Sequence, residues 1–231
     1  MNKTDTSKIL FLDIETVPLV YKYNELSQAA KELWDKKFQF NKESGPEKQY
    51  EKAGIYAEFA KVICIGLGYY NSGKFRVKCL SSENEYELLK QFSDLLAQHF
   101  SSSSNVLCAH NGKEFDLPFL CRRFIINKLS LPSILQIQGL KPWEIKHIDT
   151  LDLWKFGDIK NYTSLNLLAH VLEVPSPKDD IDGSMVAKTF YEEKGFERIK
   201  KYCMKDVITL ARVYKRFIGD GDLNDSEIIF V

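Results

Sequence analysis

Two carboxylates stand two residues apart at the end of the first apolar run in the chain. Residues 8–14 (KILFLDI) predict a buried strand, with Asp13 near its end and Glu15 directly after it. Because side chains alternate between the two faces of a strand, both carboxylates should lie on one face. Neighbouring carboxylates repel each other unless a cation lies between them, and Mg²⁺ and Mn²⁺ prefer such oxygen ligands. Alone the pair is a weak signal, because Asp-x-Glu also occurs at solvated strand ends.

Two more acids stand in contexts that suit chemistry. Asp116 follows a predicted strand over residues 106–110 and opens a predicted helix. It suits a helix N-cap, a metal ligand or both. Tyr202 and Asp206 are i and i+4 on a long predicted helix, so they share a face. Asp206 lies near the apolar side of that helix, where a carboxylate needs a partner or a metal ion. The alternative is a core tyrosine with a polar residue beside it.

Together these residues resemble the three motifs of the DEDDy 3′–5′ exonucleases. The matching segments are FLDIET at 11–16, HNGKEFDLPFL at 110–120 and YCMKD at 202–206. The sequence is most similar to the stand-alone proteins that resemble the exonuclease (proofreading) domain of family B DNA polymerases. The related DEDDh enzymes carry histidine five residues before the last aspartate. That position is Lys201 here, whereas Tyr202 fits the tyrosine branch.

The resemblance implies a ribonuclease H-like fold and a site for two divalent metal ions, Mg²⁺ or Mn²⁺. Asp13, Glu15 and Asp206 would hold one ion, and Asp13 would bridge to a second ion that Asp116 supports directly or through water. Tyr202 would keep its proton, since a phenol titrates near pH ~10, and would orient the attacking water.

According to the resemblance, Thr16 and Asn111 would place the terminal nucleotide, and Phe115 is a further candidate to contact a base. Asn111 equally suits a turn beside Gly112, and Phe115 also suits core packing.

The activity implied by the resemblance is release of nucleoside 5′-monophosphates from the 3′ end of single-stranded or frayed DNA. An exoribonuclease with the same site is the alternative, because no residue can be identified that reads the 2′-hydroxyl. A non-catalytic nucleic-acid-binding module is an alternative of another class. It predicts the loss of one or more acidic ligands, and the sequence retains all four.

The elements around these residues predict an α/β fold with a mixed five-stranded sheet, whose first three strands are antiparallel, flanked by helices. The predicted strands cover residues 8–14, 61–70, 75–80, 106–110 and 146–150. Helical spacing of apolar residues predicts helices at 24–38, from a Ser82–Glu85 capping box to Phe100, at 116–127, from Thr163 or Ser164, at 183–194 and at 196–217.

One domain is expected over residues 1–231, with a charged helical or loop insertion at about 22–60. Asp149 and Asp152 are interpreted as a strand end and a helix cap. Asp179, Asp180 and Asp182 are interpreted as caps of the helix that follows them.

Composition limits the partners. Lys+Arg and Asp+Glu are both 32, which argues against a protein that coats duplex DNA and favours a local cleft for a strand end.

The five cysteines include no CxxC pair, which argues against a disulfide framework or a zinc site and favours a reducing interior. No signal-peptide pattern or run of ~18–20 apolar residues is present. These observations predict a cytoplasmic protein without a membrane anchor, and they indicate no stable protein partner.

Overall fold

A single mixed sheet forms the centre of the computed structural model, which describes residues 5–40, 45–158, 160–175 and 181–231. Within these residues six strands form the sheet: β1 Ile9–Pro18, β2 Ala60–Asn71, β3 Lys74–Ser81, β4 Val106–Ala109, β5 Ile148–Asp149 and β6 Ile228–Phe230. The spatial order is β5-β4-β1-β2-β3-β6. The pairs β1–β2 and β2–β3 are antiparallel, and the pairs β1–β4, β4–β5 and β3–β6 are parallel.

The predicted α/β fold with an antiparallel first triplet of strands is confirmed. The structure adds β6, a three-residue strand at the edge that the sequence pattern did not reveal. So short a segment offers no alternation to recognise, and its pairing with β3 joins residues about 150 positions apart.

Eight α-helices lie in the described residues: α1 Gln28–Phe38, α2 Pro46–Tyr50, α3 Glu85–His99, α4 Asp116–Ile126, α5 Thr150–Lys155, α6 Leu165–Val171, α7 Val186–Tyr191 and α8 Phe196–Ile218. Six of them correspond to predicted helices, whereas the short helices α2 and α5 were not predicted. Across the described residues, no helix combines the length and the apolar character that crossing a membrane requires.

Strand β1 divides the core into two sides. Leu10, Leu12 and Ile14 pack with residues of α3 and α4, whereas Ile9 and Phe11 pack with residues of α8. Because side chains alternate along a strand, Asp13 and Glu15 continue the row of Ile9 and Phe11. Alternation therefore turns both carboxylates toward the side of the sheet that α8 covers.

Two glycines of β2 let α8 approach the sheet closely. A Cβ at Gly66 would lie 2.8 Å from the Cys203 Sγ, and a Cβ at Gly68 would lie 2.6 Å from Val207 Cγ1. Real Cβ atoms do not approach other heavy atoms so closely, and a side chain at either position would push the helix away. Since α8 carries Tyr202 and Asp206, these glycines set how near both residues come to β1.

The predicted insertion contains α1 and α2, and its residues 41–44 lie outside the described part of the chain. It has a small core of its own around Trp34, whose ring is fully buried and whose Nε1 donates to the Pro46 carbonyl at 2.8 Å. Tyr50 packs against Trp34 and donates its hydroxyl to the Val20 carbonyl at 2.9 Å. Helix α2 begins at Pro46, directly after Gly45. Proline is favoured in the first turn of a helix, because the backbone N–H that it lacks has no partner within the helix there.

The predicted capping box of Ser82 and Glu85 is wrong. Asn84 caps α3 through its side chain, which accepts from the backbone N–H of Tyr86 and Glu87. Glu85 is buried and pairs with Arg123 of α4 at 2.5 Å, and it also accepts from the Val62 backbone N–H at 2.7 Å. Glu85 pairs with the buried Arg123 guanidinium and does not bind the backbone at the start of α3, because either charge would otherwise be buried without an opposite charge.

Three other capping interpretations concern residues just before α7. Asp182 does not cap that helix, because Met185 occupies the N-cap position and the Asp182 carboxylate accepts from the Ser184 backbone N–H at 2.8 Å. Asp179 and Asp180 lie outside the described residues.

Candidate active site

The site forms where β1 extends past its parallel neighbour. Pairing between β1 and β4 stops at Phe11, so the edge of β1 that carries Asp13 and Glu15 is open on that side. On the other side β2 stays paired, and the register shifts between Glu15 and Thr16. Bulges of this kind re-aim side chains and are common beside active sites.

Asp116 closes the open edge of β1. It is the first residue of α4, and Phe115 rather than Asp116 occupies the N-cap position. Its carboxylate instead accepts a hydrogen bond from the backbone of Ile14, the residue between Asp13 and Glu15. This contact brings a carboxylate from the second motif against the strand that carries the first.

The loop before α4 is held by Asp149, which has three backbone donors. Its carboxylate accepts from the N–H groups of Asn111 (2.9 Å), Lys113 (3.0 Å) and Leu151 (2.9 Å). The bond to Leu151 confirms the cap interpretation for Asp149. The other two bonds hold the loop in shape, with Asn111 in the left-handed region at φ 59°. Asp149 thereby positions Asp116. The sequence did not predict this role, because Asp149 lies far from the motifs along the chain.

Helix α8 supplies Tyr202 and Asp206 from the covered side of the sheet. The Tyr202 hydroxyl and the Asp206 carboxylate are hydrogen-bonded to each other. Burial raises the pKa of Tyr202 far above its ordinary value, and the charges of Asp206, Glu15 and Asp13 add to the rise. The phenol therefore stays protonated at physiological pH, as the sequence predicted.

Four carboxylates share this site. Burial raises the pKa of Asp13 well above its ordinary value, followed by repulsion from Glu15, Asp206 and Asp116. Burial also raises the pKa of Glu15, with repulsion from Asp206 and Asp116. Burial raises the pKa of Asp116 to about 7. Among the described residues, no lysine or arginine forms an ion pair with Asp13, Glu15 or Asp116.

This donor set fits divalent cations, because ions of charge +2 would relieve the repulsion and carboxylate oxygens are their preferred ligands. Within the part of the chain that the structure describes, one group of potential ligand atoms lies close together and comprises Asp13, Glu15 and Cys203, all within 4.8 Å of one another. Asp116 and Asp206 are not part of that compact group, although both act electrostatically on Asp13 and Glu15.

Cys203 was missed by sequence reasoning. Its thiol lies 3.6 Å from both the carboxylate and the backbone carbonyl of Asp13. The only signal in the sequence is its place beside Tyr202 on the apolar side of the helix, which core cysteines share. The structure shows all five cysteines as free thiols.

The three residues predicted to place a nucleotide are close to the carboxylates along the chain, since Thr16 follows Glu15, Phe115 precedes Asp116 and Asn111 lies in the loop before α4. The Thr16 hydroxyl donates to the Gly54 carbonyl at 2.7 Å and so ties β1 to the insertion. Asn111 forms the turn before α4 and uses its backbone N–H to bind Asp149. Phe115 is half-buried and packs against Phe119 with ring centroids 5.5 Å apart. Their contact with substrate stays a prediction.

A protein family described as predicted 3′–5′ exonucleases related to the exonuclease domain of PolB, the family B DNA polymerases, matches residues 55–227. The chain belongs to this family. The match includes Asp116, Tyr202 and Asp206, whereas Asp13 and Glu15 precede it.

Relatives of the family are found among archaeal polymerases. The chain is 27% identical over 157 residues to a DNA polymerase of Pyrococcus glycovorans, covering 61% of this chain and 19% of the polymerase. It is 26% identical over 153 residues to a DNA polymerase of Pyrococcus horikoshii, covering 61% of this chain and 12% of that polymerase. The family B DNA polymerase of Pyrobaculum calidifontis shares the fold, with a TM-score of 0.55 at 14% identity over 88% of this chain and 24% of that one. The chain thus spans about a fifth or less of the Pyrococcus polymerases that it matches.

Proposed function

We propose that this chain hydrolyses phosphodiester bonds at the 3′ end of single-stranded or frayed DNA and releases nucleoside 5′-monophosphates. The observation that carries the proposal is the mutual repulsion of carboxylates from β1, α4 and α8 at one open strand edge. A fold that brings buried carboxylates close enough to repel one another favours the binding of cations between them. Membership of a family of predicted 3′–5′ exonucleases supports the same reaction.

In this proposal Asp13, Glu15 and Asp206 would hold one divalent ion, and Asp13 with Asp116 would support a second. When bound, Mg²⁺ or Mn²⁺ ions supply stabilisation of charge on a phosphate and lower the pKa of water. The protein's own part is to fix the carboxylates in place, whereas bound cations would favour their ionised forms. The Ile14 backbone restrains Asp116, and the Tyr202 hydroxyl restrains Asp206.

Tyr202 orients the attacking water in this mechanism. Because its pKa is raised, the phenol cannot serve as a general base and acts only as a hydrogen-bond donor or acceptor. Thr16, Asn111 and Phe115 place the terminal nucleotide from positions around the carboxylates.

Tyr202→Phe is expected to reduce kcat by about 10- to 100-fold and to leave KM nearly unchanged, because orientation is lost while the carboxylates remain. Single-turnover hydrolysis of a labelled strand measures the change. The matched control is Tyr86→Phe, since Tyr86 is exposed on α3, away from the site. A loss as deep as that of an aspartate variant would contradict the orienting role.

Metal ions are expected to stabilise the fold, and more so at pH 8 than at pH 5. Asp13, Glu15 and Asp116 have raised pKa values, so the folded protein binds more protons than the unfolded chain does. Stability of the metal-free protein therefore falls as the pH rises through those folded-state values, including about 7 for Asp116. At about 100 times Kd, Mn²⁺ should contribute about 2.7 kcal/mol, which raises Tm by roughly 5–10 °C. Thermal unfolding with Mn²⁺ and with a chelator tests this, and an unchanged Tm at pH 8 would contradict the metal site.

Digestion of matched DNA and RNA strands, each labelled at the 3′ or the 5′ end, tests the proposed reaction. We expect early release of a 3′-labelled mononucleotide, a shrinking ladder from the 5′ label, and no cleavage with a chelator. Faster digestion of RNA would identify an exoribonuclease with the same site. Strand binding without any cleavage would identify a non-catalytic module.

We also propose that residues 1–231 act as one exonuclease domain, in which the segment at about 22–60 is an insertion. The cytoplasmic location stays a prediction from the sequence.

A further inference from the structure

A cavity of about 470 Å³ opens beside the far end of β1. It lies between the segment that follows β1, helix α2 of the insertion and helix α7. Its volume lies in the range that small-molecule and nucleotide-sized ligands occupy. The lining includes Pro18, Tyr21, Lys22, Tyr50, Glu51 and Lys188.

Tyrosine rings form one part of the wall. Tyr21 stacks on Tyr191 with ring centroids 5.2 Å apart, and Tyr23 meets Tyr50 edge to face at 6.1 Å. The hydroxyl groups of Tyr23 and Tyr50 are bound to Asp35 and to the Val20 carbonyl. The rings are therefore held in place before any ligand arrives. Tyr50 is buried and supports the wall, whereas Tyr21 and Tyr23 are half-buried and suit contact with an unpaired base.

Charged groups of both signs complete the wall. Lys22 and Lys188 are exposed, and neither forms an ion pair with another described residue. Glu47 is within reach of the Asn24 amide at 3.4 Å, and Glu192 is hydrogen-bonded to the Tyr21 hydroxyl. The cavity is lined by three glutamates and two lysines, so its affinity for a free polyanion should be low. Weak contacts are sufficient, however, for a strand that is already held nearby, because its effective concentration is high.

The cavity is close enough to the carboxylates for one strand to reach both. Pro18 lines the cavity and follows Glu15 by three residues on β1. At about 3.3 Å per residue, the two positions are about 10 Å apart, a distance of one to a few nucleotides.

We propose that this cavity binds an unpaired nucleotide of the substrate strand, a few positions from the scissile phosphate. The rings of Tyr21 and Tyr23 contact the base, and Lys22 and Lys188 contact the flanking phosphates. The inference rests on the proposed exonuclease function and assigns part of its substrate path to the insertion. The lining residues from Pro18 to Glu51 precede the family match at residues 55–227, whereas Lys188 and its neighbours on the opposite wall lie within it.

The test is the double variant Lys22→Ala, Lys188→Ala, assayed on a dinucleotide and on a 12-nucleotide single strand. We expect KM for the long strand to rise about 10-fold with kcat unchanged, and both constants for the dinucleotide to stay as in the parent. The slope of log KM against log salt for the long strand should fall by about 1.4, because each lost phosphate contact removes about 0.7.

The matched control is Lys36→Ala, Lys90→Ala, which removes the same charge from exposed positions that do not line the cavity. Equal KM and salt slope in the two double variants would overturn the inference while leaving the exonuclease function intact. Inhibition of dinucleotide cleavage by a free mononucleotide, lost only in the cavity variant, would assign the cavity to a free nucleotide and also overturn it. A parent protein that cleaves neither substrate would refute the proposed function and, with it, this subsite.

Discussion

Asp13→Asn is expected to lower the rate of strand cleavage by roughly 1,000-fold or more and to leave the fold intact. In the proposed site Asp13 supports both ions, and loss of several kcal/mol of charge stabilisation corresponds to that factor. Asparagine has nearly the same shape as aspartate but no charge. Since Asp13 is repelled by Glu15, Asp206 and Asp116, its neutralisation should leave the metal-free protein at least as stable as the parent.

The measurement is single-turnover digestion of a 3′-labelled strand, together with thermal unfolding in the presence of a chelator. Asp206→Asn should show an equally deep loss, because it removes a carboxylate from the opposite side of the same site. Asp94→Asn serves as the control, since Asp94 is exposed on α3. Cleavage at the parent rate by either site variant would show that the reaction does not depend on these carboxylates.

Arg123→Met is expected to destabilise the protein by roughly 3–5 kcal/mol, the largest loss of stability that we anticipate for one substitution. The guanidinium contacts Glu85 through Nε and Nη2 and donates through Nη1 to the Ala57 carbonyl at 2.7 Å. Both partners are about 95% buried. Methionine fills similar space but leaves the Glu85 carboxylate without its cation and the Ala57 carbonyl without its donor.

Urea unfolding with a chelator present measures this loss separately from metal binding. The companion variant Glu85→Gln, Arg123→Met removes the stranded charge and keeps an oxygen that can accept from the Val62 N–H. We expect it to be more stable than Arg123→Met alone, with the difference reporting the cost of the unpaired carboxylate. If Arg123→Met lost less than about 1 kcal/mol, the pair would be of little importance to the fold.

Much of this protein could be predicted from local patterns. Alternation along β1 placed Asp13 and Glu15 on one face, and helical spacing placed Tyr202 and Asp206 on one face of α8. These predictions succeeded because strand and helix periods are properties of a few consecutive residues. The three motifs then identified the fold, whose α/β class and antiparallel first strands the structure confirms.

Other features were decided by contacts between distant segments. Glu85 carries the pattern of a capping residue, yet Arg123, 38 positions away, takes its carboxylate into the core. Asp149 fits a helix cap, and only the folded chain shows that it also holds the loop before Asp116. Cys203 looks like any core cysteine until α8 packs on Gly66 and brings its thiol to Asp13.

The sequence by itself therefore determined which residue types face which way along each element, because backbone periodicity is local. The tertiary structure alone decided which carboxylates meet, which of them find a cation or a backbone donor, and how far burial raises their pKa values. Those outcomes depend on the distance and desolvation between charges on separate elements, which no spacing along the chain expresses.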